Sequence, residues 1–186
     1  MRELSEHNAE AVSKLRRFVW RAVWETVTTA LPALLIALFI NVFIAEAAVV
    51  EDGPSMEPNL YRGYQMMTEK MSYHFHPPHR GDVVIVDPPG GGKSLVKRVV
   101  GLPGEVVEVR GGQAWVDGEV IEEPWVTYYG GPDHPPAVVP AGHVFILGDN
   151  RGNSHDSRAI GAVPLEAVRG RVWLVYWPPE GIRVEP

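Results

Sequence analysis

Val83-Val84-Ile85-Val86-Asp87-Pro88-Pro89-Gly90-Gly91-Gly92-Lys93-Ser94-Leu95-Val96-Lys97-Arg98-Val99-Val100 reads as two short apolar runs broken by prolines and glycines. Valine- and isoleucine-rich runs bounded by turn formers predict β-strands, and the glycine-rich break predicts a hairpin loop between them. Side chains alternate faces along a strand, so Lys97 is expected to share its face with Leu95 and Val99, and Arg98 with Val96 and Val100. No carboxylate stands beside Lys97 in sequence. Burial among aliphatic groups can lower a lysine pKa from about 10.4 by up to about 3–5 units, which turns the amine into a usable base. The Gly90-Gly91-Gly92-Lys93-Ser94 run is not a phosphate-binding loop, because the glycine required five positions before Gly92 is Asp87 and a strand pattern follows instead of a helix.

Outward from this hairpin the strand signals continue. Glu105 to Val109 and Gln113 to Val116 flank Arg110-Gly111-Gly112, and Asp117-Gly118 turns the chain before Glu119-Val120-Ile121. Val144 to Leu147 and Arg171 to Tyr176 are further strands. One short helix is expected near Pro164 to Val168, and the proline-rich stretches 76–79, 131–140 and 178–179 are expected to be loops. His74, His76 and His79 belong to the first of these loops and are not expected to hold a metal. The fold class is therefore mainly β.

The chain has 186 residues, 45% of them hydrophobic, a net charge of −6 and no cysteine. These values fit one folded domain without disulfides, and without a long basic run nothing points to nucleic acid. Thr26 to Ala45 is uncharged throughout and rich in Leu, Ile and Phe, long enough as a helix to cross a bilayer core of about 30 Å. Lys14, Arg16, Arg17 and Arg21 precede it, and Glu46, Glu51 and Asp52 follow, so the positive-inside rule places the N-terminus in the cytoplasm. Trp20 and Trp24 fall where an interfacial belt is expected, and Asn41 needs a hydrogen-bonding partner within the span. The expected organisation is a cytoplasmic segment 1–25, a transmembrane anchor 26–46 and an extracytoplasmic β domain 47–186. A cleavable leader ending at Ala45-Glu46-Ala47 is the competing reading, against which the apolar run is longer than the usual leader core of about 7–15 residues.

Gly53-Pro54-Ser55-Met56-Glu57-Pro58-Asn59-Leu60 supplies a candidate nucleophile. A serine hydroxyl attacks only when a neighbouring group takes its proton, and Lys97 is the candidate base. Taken singly, a serine before Met is usually a turn residue and a strand lysine usually reaches for water. Two further stretches accompany the pair: Gly81-Asp82-Val83-Val84-Ile85-Val86, and Gly148-Asp149-Asn150-Arg151-Gly152-Asn153-Ser154-His155-Asp156-Ser157-Arg158.

With Ser55 to Leu60 and Lys97 to Glu105, these four blocks resemble those of the type I signal peptidases, in the same order and at similar spacing. The resemblance implies a membrane-bound Ser-Lys endopeptidase with one N-terminal transmembrane helix and a barrel-like β domain. It also implies a bacterial cell-membrane location, removal of signal peptides from exported precursors after small-x-small sites such as Ala-x-Ala, no cofactor, and the bilayer and secretion machinery as partners. By resemblance Ser55 is the nucleophile and Lys97 the base. Ser154 is expected to orient Lys97, Asp149 to pair with Arg98, and Asp156 with Arg158. Val49, Met56, Leu60 and Val96 are expected to narrow the substrate pockets. Asn59 and Gly152 replace the family's usual Thr and Asp. Gly53 stands where some members carry a serine that helps bind the oxyanion, which leaves the Ser55 N–H as the candidate donor. A cytosolic Ser-Lys self-cleaving repressor and a silent anchored binding module are the alternatives, opposed by the apolar span and by the intact Ser55 and Lys97. A Ser-His-Asp arrangement using His134, His143 or His155 finds no supporting motif.

Overall fold

A computed structural model describes residues 2–39, 45–51 and 53–184, with side chains from Arg16 onward except at position 74. Ile40, Asn41 and Asp52, and the side chains of Lys14 and His74, to which expectations attach, lie outside the described residues. The chain forms two compact units, residues 1–43 and 44–186.

The first unit is one helix, α1 (Arg2–Phe39), of which Arg16–Phe39 is long and apolar enough to cross a membrane. At 1.5 Å per residue that stretch covers about 36 Å. Trp20, Trp24, Leu31, Leu34 and Leu35 are all exposed. The hydroxyls of Thr26, Thr28 and Thr29 donate to the carbonyls of Ala22, Trp24 and Glu25, which removes their cost in an apolar surrounding. Ala45 and Glu46, expected to end the span, are instead the first residues of a strand.

The second unit is mainly β. Its strands are β1 (Ala45–Val49), β2 (Gln65–Glu69), β3 (Val83–Val86), β4 (Leu95–Gly101), β5 (Val106–Arg110), β6 (Gln113–Val116), β7 (Glu119–Val120), β8 (His134–Val138), β9 (His143–Leu147), β10 (Val163–Pro164), β11 (Val168–Trp177) and β12 (Arg183–Val184). One sheet runs β1-β2-β11-β3-β4-β9-β10, with β12 also on β11, and a second runs β7-β6-β5-β8. Every pairing between these strands is antiparallel.

The central strands are buried on both faces, which is why they read as continuous apolar runs. Val83 and Ile85 pack with Met56, Leu60, Met66, Val172 and Val175, whereas Val84, Val86, Val99 and Ile146 form a second cluster on the opposite face. A third cluster joins the small sheet to the large one through Val100, Val107, Val109, Phe145 and Leu147. In the β3–β4 hairpin Lys97 pairs with Val84 and Arg98 with Val83. Gly90, Gly91 and Gly92 in its loop all take positive φ, as a flexible hairpin connection and not a phosphate cradle.

Several expectations are corrected. The 131–140 stretch contains strand β8 despite Pro135 and Pro136, because among the described residues β8 is an edge strand paired with β5, and a proline is tolerated on an edge. The expected helix at 164–168 is a short 3₁₀ turn, Leu165–Ala167, between β10 and β11. One-turn α-helices also occur, α2 (Ser72–Phe75) and α3 (Ser157–Ile160), with further 3₁₀ turns at Arg151–Asn153 and Pro179–Gly181. The strand expected at Arg171 to Tyr176 begins earlier, at Val168, and its register shifts near Gly170, Val172 and Val175 blur the alternation that would have marked it.

Candidate active site

The turn after β1 presents Ser55. Gly53 has φ +51°, a left-handed conformation that favours glycine, so the backbone itself disfavours a serine at that position. Met56 and Leu60, each 1% exposed, anchor the turn in the core below. Full burial of such a side chain is worth roughly 1.5–3 kcal/mol. Two backbone bonds shape the turn, from Glu57 N–H to the Pro54 carbonyl and from Leu60 N–H to the Met56 carbonyl.

Lys97 comes to Ser55 from β4. It is 3% exposed, opposite the fully buried Val84 and two residues from the fully buried Val99. Its Nζ donates to Ser55 Oγ at 2.8 Å and to the Val96 carbonyl at 2.9 Å. The two candidate reacting groups are thus in direct contact, and the Val96 carbonyl fixes the direction of the amine.

The loop after β9 braces both segments. Asn150 N–H donates to the Ser55 carbonyl at 3.0 Å. Asp149 receives Arg98 Nε at 2.9 Å and Arg98 Nη2 at 2.7 Å, a bidentate pair buried at both ends. Asp156 receives Arg158 Nε and Nη2, both at 2.8 Å, and the Gly148 N–H at 3.1 Å. Burial opposes ionisation of Asp156, but the Arg158 guanidinium and the Gly148 N–H outweigh it and hold the carboxyl below its usual range. Ser154 departs from expectation. Its Oγ is buried without a hydrogen-bond partner, so it does not bond Lys97, although it lies close enough to Asp156 to favour the ionised carboxylate.

Gly148 makes this brace possible. A Cβ there would stand 2.3 Å from Ser154 Oγ and 2.5 Å from the Ser55 carbonyl oxygen. Gly148→Ala is therefore expected to push the nucleophile turn off the lysine. The expected outcome is a fall in kcat/KM of about 100-fold, since misplacement near 1 Å has that effect, and a stability loss of about 1–3 kcal/mol. Steady-state kinetics and thermal unfolding of the variant check both.

Beside the dyad runs a cleft of about 490 Å³. One wall is β1 and its continuation, from Glu46 to Glu51, and the other is Gly92 to Lys97. Among the described residues neither wall is paired to a further strand on the cleft side: β1 ends its sheet, and β4 meets β9 only from Arg98 onward. Val49, Met56 and Val96 line the cleft, whereas Leu60 lies in the core. Among the described residues no group of three His, Asp or Glu side chains is placed to hold a metal.

Residues 23–177 match the family described as "Signal peptidase, peptidase S26". The chain belongs to the signal peptidase family. It is 40% identical over 146 residues to signal peptidase I of Leptolyngbya laminosa, covering 73% of this chain and 70% of that one. It is 37% identical to probable signal peptidase I-1 of Synechocystis, covering 73% of each. A crystal structure of signal peptidase I from Enterococcus faecalis is 31% identical and covers 50% of this chain and 95% of that one, with a TM-score of 0.42. As a signal peptidase, the chain is a peptidase acting on the signal peptides of precursor proteins.

Sequence reasoning missed two groups of residues in this signal peptidase. Glu46, Thr68 and Arg169 line the far end of the cleft. Lys70, 2.7 Å away, holds the Glu46 carboxyl below its usual range against the opposing effect of burial, and Arg169 adds to this from 2.6 Å. Arg151 and Glu123 form a buried ion pair, and Arg151 also donates to the carbonyls of Gly148 and Gly112, tying the active-site loop to the small sheet. His134 packs edge-on against Phe145 at 5.1 Å, and His143 contacts the Ala141 carbonyl.

Proposed function

We propose that this signal peptidase is a membrane-anchored serine endopeptidase that uses Ser55 as nucleophile and Lys97 as general base, cutting exported precursors after small-x-small sites. The carrying observation is the 2.8 Å contact between Lys97 Nζ and Ser55 Oγ. Neutral Lys97 accepts the Ser55 proton as Oγ attacks the scissile carbonyl, and the resulting ammonium returns it to the leaving amine. Water then hydrolyses the acyl-enzyme by the same route. The Ser55 N–H is the candidate donor to the oxyanion.

The cleft supports the substrate class. An extended peptide laid between β1 and the 94–97 segment gains main-chain hydrogen bonds from both open edges, which is recognition by strand addition. Val49, Met56, Ile85 and Val96 then bound the positions next to the cut, and such aliphatic walls leave room for alanine. The 16–39 segment of α1 is the proposed single-pass anchor of a bacterial plasma-membrane protein, with Arg16, Arg17 and Arg21 on the cytoplasmic side and the β domain outside. The proposed organisation is thus a cytoplasmic segment, an anchor and an extracytoplasmic catalytic domain. The secretion machinery is its proposed partner.

The test is incubation of the detergent-solubilised chain with a precursor bearing an Ala-x-Ala site, with the product's new N-terminus read by mass spectrometry. Only the neutral amine accepts a proton, so kcat/KM is expected to rise with pH as the Lys97 ammonium is lost, and to fall in acid. A histidine base produces a similar rise, so the profile is measured with His134→Ala, His143→Ala and His155→Ala in parallel. Each is expected to cleave far above the background of Ser55→Ala. Inactivation by one of them, with folding preserved, counts for a histidine triad.

A further inference from the structure

Ser55 and Lys97 belong to segments distant in sequence, so their contact depends on what orients the nucleophile turn against β4. The apolar anchors Met56 and Leu60 fix its depth, but hydrophobic contact is non-directional and leaves its rotation open. Directional bonds must supply the rest. Asn59, in the same turn, donates through Nδ2 to the Trp125 carbonyl and to Asp149 Oδ2, both at 2.8 Å. Its own carbonyl accepts from Arg183 Nη2, which closes the turn from the β12 side.

The acceptor Asp149 is the carboxylate that clamps Arg98, the residue after the lysine. Arg98 is further held by the Gly81 carbonyl at 2.8 Å and lies 4.7 Å from the centre of the Trp125 ring. Both acceptors of the Asn59 amide therefore belong to groups that grip Arg98. We infer that Asn59 is a positioning residue of the peptidase, its amide locking the Ser55 turn to the Asp149–Arg98–Trp125 clamp and so fixing the approach of Ser55 to Lys97. Asn59 does not touch the reacting atoms. It acts with the Asn150 N–H, which holds the Ser55 carbonyl from the same loop that supplies Asp149.

An asparagine suits this place because its amide carries two N–H donors for two acceptors. An alanine leaves both acceptors short of a partner, and an aspartate sets a second carboxylate against Asp149. The inference rests on the Ser-Lys reading, and its test keeps the two separable. The full chain in detergent micelles is assayed on a precursor with an Ala-x-Ala site as wild type, Asn59→Ala, Asn59→Asp and Ser55→Ala, with the folded fraction measured by circular dichroism. Asn59→Ala is expected to lower kcat per folded molecule by about 10–100-fold while KM stays within about twofold, because substrate still meets an intact cleft but Ser55 meets Lys97 badly. Asn59→Asp is expected to lower it further. A kcat within twofold of wild type in Asn59→Ala, or a loss carried by KM or by the folded fraction alone, overturns the positioning role. Should Asn59→Ala not fold, Asn59→Ser, whose hydroxyl is too short to reach both acceptors, is judged by the same criterion. Retained cleavage in Ser55→Ala is the separate result that defeats the Ser-Lys reading itself.

Discussion

Ser55→Ala and Lys97→Met are each expected to reduce precursor cleavage to background, a loss of at least about 10⁴-fold in kcat/KM, with the fold intact. One removes the attacking oxygen, and the other removes the base while its thioether chain keeps the aliphatic stem. The losses are not additive, because the two groups act in one proton transfer, so the double variant is no worse than either alone. Lys97→Arg is expected to fail as well. A guanidinium stays protonated throughout the accessible pH range and cannot accept the Ser55 proton, and its fork does not fit the place where a single amine spans Ser55 Oγ and the Val96 carbonyl. Cleavage assays on purified variants, with near-UV circular dichroism to confirm packing, decide the matter. Full activity in either Ser55→Ala or Lys97→Met ends the dyad assignment.

The two residues of the proposed dyad stood out in the sequence because each sits in a block whose neighbours are specific. The β3–β4 hairpin was legible for a simpler reason, since strands buried on both faces must be apolar throughout. What escaped was structure whose partners are remote. β1 reads as the tail of the apolar span, because Ala45-Glu46-Ala47-Ala48-Val49 has neither turn signal nor β-branched enrichment before Val49, and only its pairing with Gln65–Glu69 makes it a strand. β2 itself, Gln65-Met66-Met67-Thr68-Glu69, has few strong strand formers. The charged end of the cleft joins Glu46 to Arg169 and Lys70, a meeting that depends on β1, β2 and β11 lying side by side. Ser154 shows the opposite failure. Its block pointed to Lys97, but the hydroxyl is buried beside Asp156 within its own loop.

The supports of the loop are expected to carry a large stability effect. Asp156→Ala leaves the Arg158 guanidinium, 1% exposed, without its carboxylate and removes the acceptor of the Gly148 N–H. Breaking a buried pair from one side costs about 3–5 kcal/mol, a large part of a typical domain's stability. Removing both partners in Asp156→Ala/Arg158→Met is expected to recover part of that loss, since no uncompensated charge remains buried. The effect has a defined pH sign. The Asp156 carboxyl titrates in the folded protein below its ordinary value of 3.8, so its contribution is present above that value and is lost as pH falls through the lowered one. Wild type should therefore lose stability below about pH 4 more steeply than Asp156→Ala, and the two unfolding curves should converge in acid. Denaturant unfolding of the β domain from pH 7 down to pH 3 measures this directly. An unchanged midpoint in Asp156→Ala with cleavage abolished would show instead that Asp156 acts on the chemistry, because a carboxylate whose work is to hold Arg158 and Gly148 in place cannot vanish without loosening the fold.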